Sequence, residues 1–132
     1  MEIEEELQES EGLQEYIETE PTPGATEEIG EVSGDARMST RSFAWIVGSY
    51  VLKKTEAFYV EESRSIEVYV SITPSNKQVR AGIIGLDGTK RYILVTGSGV
   101  HTFLVKHTGD HRVFVENTNG ISVEAGGSYT IR

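Results

Sequence analysis

The chain has no cysteine, which excludes disulfides, a thiolate nucleophile and cysteine-ligated zinc. It holds no run approaching the roughly 18 apolar residues that a membrane helix requires, so this segment is not expected to insert into a membrane. Its first forty residues contain one basic side chain, Arg37, against thirteen acidic ones. That start, MEIEEELQES, is the opposite of a signal peptide, which opens on basic residues and continues into an apolar core. Two origins fit: a cytoplasmic protein, or the mature or excised part of a longer exported chain.

The net charge of −9 sums two unlike parts. Residues 1–40 carry −12, whereas residues 41–132, with eleven basic and eight acidic side chains, carry +3. With 132 residues in all, this break predicts an acidic flexible tail and linker over 1–40 and one domain over 41–132. In the tail, Ile3, Leu7, Leu13, Tyr16 and Ile17 trace a sparse helical spacing that Gly12 interrupts. The segment reads as a solvated, disordered tail, with a short helix formed on binding a partner as the alternative. Residues 18–36, with Pro21, Pro23, Gly24, Gly30 and Gly34, read as linker.

From Arg41 the pattern changes to period two. In SIEVYVSIT (65–73), Ile66, Val68, Val70 and Ile72 share one face and Glu67, Tyr69, Ser71 and Thr73 the other, as a half-buried antiparallel strand requires. QVRAGIIGL (78–86), RYILVT (91–96), HTFLVK (101–106), HRVFVEN (111–117) and ISVEA (121–125) follow, separated by TPSNK, Asp87–Gly88, GSG, HTGD and TNG turns. Gly126–Gly127 precede a last short strand, SYTIR. Upstream, RSFAWIVGSYVLKK (41–54) reads as one long strand or two broken at Gly48, and EAFYVEE (56–62) as another. Eight or nine short strands without a helix predict an all-β, antiparallel β-sandwich, jelly-roll or Ig-like. The expected core is Phe43, Trp45, Val51, Phe58, Val60, Ile66, Val68, Val70, Ile72, Val79, Ile83, Tyr92, Leu94, Phe103, Val105, Val113, Val115, Ile121, Val123 and Tyr129.

Two stretches, VSITPSNKQVRAGIIGLDG and TFLVKHTGDHRVFVENTNGISVEAGGSY, resemble a recurring pattern in bacterial exported sandwich modules. Such modules occur in small secreted Firmicute proteins and appended to membrane metallopeptidases of the beta-lactam-sensor family. The resemblance covers about residues 43–132 and rests on structural residues, so it implies a sandwich and an exported setting and transfers no catalytic residue. Where the pattern has tyrosine after the glycine turn, this chain has His111.

All three histidines, His101, His107 and His111, fall within one strand–turn–strand stretch. Alternation puts His101 with Phe103 and Val105, and His111 with Val113 and Val115, on the inward face, with His107 in the turn. Together with Asp110 they form the one polar cluster worth weighing as a metal site. Two inward histidines at strand ends are more simply core-edge residues bonded to backbone carbonyls, and no metal or cofactor is assigned. Serine, histidine and aspartate are present without a G-x-S-x-G elbow, and GLDGTKR lacks the Gly–Lys–Ser/Thr ending of a phosphate loop, so no catalytic residue is assigned either. The same alternation turns Tyr69, Leu104 and Phe114 outward, as a contact patch or as residues hidden under a second layer. The basic residues are scattered over many strands, which argues against nucleic acid. A −12 tail folding back on a +3 domain, screening a binding face, is a further expectation, tempered by the small contribution of exposed ion pairs.

These observations predict a non-enzymatic binding or accessory module of an exported bacterial protein, contacting a protein or cell-envelope partner. Its place is extracellular or in the cell envelope, with the cytoplasm as the alternative. A structural subunit that assembles by strand addition, through the tail or an edge strand, is the second expectation. A carbohydrate-binding module using Tyr50, Tyr59 or Tyr69 is the third.

Overall fold

The structure, a computed structural model, describes residues 14–34 and 39–132. Eleven strands follow one another: β1 Tyr16–Glu18, β2 Thr26–Ile29, β3 Thr40–Val47, β4 Val51–Lys54, β5 Phe58–Val60, β6 Ser65–Thr73, β7 Gln78–Ile84, β8 Lys90–Thr96, β9 Ser98–Leu104, β10 Gly109–Asn117 and β11 Val123–Ile131. They form two sheets. The larger runs β1-β8-β7-β10-β4-β2, with β5 paired to one end of β10, and the smaller runs β3-β11-β6-β9. Every pairing is antiparallel except β2 with β4. The expected antiparallel sandwich is therefore the architecture, and its nine strands after residue 39 match the expected eight or nine.

The core lies between the sheets and follows from alternation. Strand β6 buries Ile66, Val68, Val70 and Ile72 while Tyr69 stays exposed. Facing it, β7 buries Val79, Ala81 and Ile83, and β10 buries Val113 and Val115. RSFAWIVGSYVLKK is two strands, because the chain crosses from the small sheet to the large one at Gly48–Tyr50, where Tyr50 takes a left-handed φ of 59°. The buried Asn117 secures that corner. Its Nδ2 donates to the carbonyls of Val47, Gly48 and Ile121, and its Oδ1 accepts from the Asn119 N–H.

Several expectations are corrected. Residues 16–18 and 26–29, read as tail and linker, are strands of the large sheet, so the ordered unit begins well before residue 40. The helical spacing expected over Ile3–Leu13 lies outside the described residues; Tyr16 and Ile17 are in β1. Gly126 and Gly127 do not end a strand: β11 runs through both, paired on each side. A side chain at Gly127 would collide with the Tyr69 carbonyl, and the Phe43 ring lies over the space instead. In β8 the parity is the reverse of that expected. Ile93 and Val95 fill the core, while Tyr92 and Leu94 face the other way, since RYILVT is apolar on both faces and alternation cannot choose. Finally, Ile121 is exposed and Phe58 half-buried, the latter stacked on Tyr129 at 4.9 Å.

Candidate interaction surfaces

The outer face of the large sheet carries Leu52, Tyr92 and Phe114, all buried, with Tyr16, Ile84 and Leu94 packed against them. Alternation correctly turns Phe114 away from the inter-sheet core, yet it is wholly buried rather than exposed. The N-terminal segment supplies the cover. Tyr16 in β1 stacks on Tyr92 at 5.5 Å, and Tyr92 meets Phe114 edge-on at 6.4 Å. Gly82, between Tyr92 and Phe114 in register, leaves no room for a side chain, because a Cβ there would strike the Arg91 carbonyl.

Charge holds the same segment down. Glu15 meets Arg91 at 2.6 Å and His101 at 3.0 Å. Glu18 meets Lys90 at 3.2 Å and Arg80 at 3.3 Å, while Glu27 meets Lys54 at 2.6 Å and Glu28 meets Lys53 at 3.7 Å. Four acids between residues 15 and 28 thus pair with basic side chains of the domain. The exposed pairs contribute little each; Lys90 is nearly buried and its contacts count for more. Partial burial pushes the Glu15 carboxyl up, but hydrogen bonds from Arg91 and His101 outweigh it and hold the group below the ordinary carboxylate range. Beneath Glu18 sits Glu116, buried, with neither carboxylate oxygen hydrogen-bonded. Lys90 at 3.5 Å and Arg80 at 3.8 Å are its counter-charges. Residues 16–18 and 26–29 thus add strands to the large sheet within the chain.

The outer face of the small sheet has no such cover among the described residues. Tyr69 and Val100 are register partners on β6 and β9, Leu104 lies at the end of β9, and Ile46 on β3; all four are exposed. Between them Ala44, Gly126 and Ser71 line up across three strands and leave a shallow depression over small side chains. Tyr69 and Leu104 therefore sit on one open face, while Phe114 belongs to the opposite, covered one. Sequence reasoning missed Ile46 and Val100. The first stands between the inward Trp45 and Val47, a legible signal; the second was hidden by reading 97–99 as a turn, whereas β9 begins at Ser98.

The histidines part company. His101 is bonded to Glu15 and lies edge-on to Phe103 at 4.6 Å. His111 is buried, and its Nδ1 is 2.9 Å from the Gly109 carbonyl. His107 is exposed in the β9–β10 turn, and Asp110 is exposed opposite Tyr59 of β5. Among the described residues no group of three potential metal ligands converges. His107 and His111 do share a cleft of ≈ 520 Å³ at one end of the sandwich, together with Arg91, Asp87, Leu86 and Ile17. The three tyrosines weighed for sugar binding do not form one platform. Tyr69 is on the small sheet, Tyr59 pairs with the start of β10, and Tyr50 lies at the corner beside the end of β10.

No family model matches the chain, and no curated protein matches it in sequence. Two solved structures share its fold. One is Aeromonas hydrophila PliG, a periplasmic lysozyme inhibitor of g-type lysozyme, with a TM-score of 0.61 at 9% identity over 83% of this chain and 100% of that one. The other is a mutant of the Escherichia coli PliG, likewise a periplasmic inhibitor of g-type lysozyme, with a TM-score of 0.53 at 13% identity over 82% of this chain and 100% of that one. At these identities the likeness is one of fold.

Proposed function

We propose that this chain is a non-enzymatic binding module of an exported bacterial protein, working outside the cytoplasm by contact with a protein partner. The observation that carries this reading is the fold likeness, which spans the whole of two periplasmic lysozyme inhibitors. The partner it nominates is a g-type lysozyme. The outer face of the small sheet supports the same reading, since Ile46, Tyr69, Val100 and Leu104 are exposed large side chains left without cover among the described residues, on a face that also carries the small Ala44, Gly126 and Ser71 and the acidic Glu124. An exposed tyrosine such as Tyr69 is a favoured anchor in protein interfaces. The exported setting also agrees with the resemblance of residues 43–132 to bacterial exported sandwich modules.

The test is a lytic assay. Purified chain is titrated into a g-type lysozyme acting on a cell-wall suspension, with complex formation followed by calorimetry. Stoichiometric loss of lysis is the expected result, with Tyr69→Ala and Leu104→Ala each weakening the complex by about fivefold or more while leaving the thermal midpoint in place. Undiminished lysis in the presence of excess chain would reject the lysozyme partner. Retained inhibition in the double variant would move the contact to another face.

A further inference from the structure

We infer that the cleft at the end of the sandwich binds a small anionic amphiphile, a carboxylate joined to a short apolar chain. The volume of ≈ 520 Å³ lies within the range of about 300–1,000 Å³ in which proteins hold small molecules. Part of its wall is apolar. Ile83 comes from the core, while Ile17 and Leu86 are 62% and 70% exposed despite their size. Exposed large aliphatic side chains lining a concavity leave apolar surface that a ligand chain would remove from water.

The mouth selects the charge. Lys106 lines it, is exposed, and has no ion-pair partner among the described residues. Arg91, also in the lining, is already neutralised by Glu15 at 2.6 Å. The one acid in the lining, Asp87, is turned to its own loop: its Oδ1 accepts the Thr89 N–H at 3.0 Å, and that bond is the first cause holding its carboxyl below the usual range. Among the described residues Lys106 therefore faces a ligand with no counter-charge, while His107 lies beside Asp87 and helps hold that carboxyl down. One ammonium beside imidazoles suits a monoanion, since the fork of donors that would grip phosphate, that of Arg91, is already taken by Glu15 and the Leu104 carbonyl. His111 completes the site. A carbonyl oxygen can only accept, so the 2.9 Å contact with Gly109 places the proton on Nδ1 and leaves Nε2 as the ring's remaining polar atom. His111 is buried yet lines the cleft, which puts an imidazole in its wall.

Octanoate is the probe, with octanol as the uncharged control, and the imidazole C–H resonances of His107 and His111 are the readout. Octanoate is expected to shift both saturably and to bind at least about fivefold more tightly than octanol. Lys106→Gln, at an exposed position, is expected to abolish that preference without altering octanol binding, and Leu86→Ser to weaken both. Shifts that rise linearly without saturation would overturn the proposal. So would octanol binding as tightly as octanoate, or Lys106→Gln leaving octanoate affinity unchanged.

Discussion

Tyr16 stacks on Tyr92 with ring centroids 5.5 Å apart. The pair joins the acidic N-terminal segment to the outer face of the large sheet, and it is why Phe114, turned outward by alternation, is buried.

Phe114→Ala should destabilise the protein by about 3 kcal/mol or more, the range for a large aromatic removed from a packed site. Leu104→Ala, at an exposed position, should change stability by less than about 0.5 kcal/mol. Urea denaturation followed by the emission of the single, buried Trp45 compares the two directly. Equal effects would show that the N-terminal segment does not cover the sheet.

The Glu15 pair predicts a pH dependence. Its carboxyl lies below the ordinary value of 4.5 in the folded protein. The stabilisation is therefore complete above the unfolded value and is lost as pH falls through the lower folded one. The urea midpoint of the wild type should fall on acidification below about pH 4.5 more steeply than that of Glu15→Gln. Parallel curves would remove Glu15 from the account.

Glu116 and Lys90 should behave as a coupled pair. Removing one partner leaves the other charge buried, so Glu116→Ala should cost about 3 kcal/mol. The double replacement Glu116→Leu with Lys90→Met should recover most of that loss, because an apolar pair of similar volume needs no compensation. Additive losses in a double-mutant cycle would show that the two act independently.

Asn117 is a test of the corner. Its amide serves three carbonyls at 2.8–3.1 Å, so Asn117→Ala should cost about 2–4 kcal/mol. Asn117→Asp should be worse at neutral pH than in mild acid, since an ionised carboxylate can only accept and would face three other acceptors. A stability difference that does not depend on pH would contradict this arrangement.

Much of the fold was legible in the residues themselves. Ile66, Val68, Val70 and Ile72 alternate without exception, and a pleated strand with one buried face admits only one parity for them. The charge of Glu15, Glu18, Glu27 and Glu28 against a basic domain was equally legible. Composition alone nevertheless read these residues as a solvated tail, since nothing local says that Tyr16–Glu18 will find β8. Strand β8 shows the other limit. Tyr92, Ile93, Leu94 and Val95 are all apolar, so the choice of face fell to the partners available: Ile93 and Val95 to the core, Tyr92 to Tyr16. The candidate surfaces divide the same way. Tyr69 and Leu104 were visible as outward residues, but that they share an open face, that Phe114 lies under a cover, and that His107 and His111 line one cleft while His101 binds Glu15 depend on pairings distant in sequence. Local alternation determined the strands and most of the core. Long-range pairing decided which outward face is covered, because burial of a side chain depends on what packs over it and not on the direction it points.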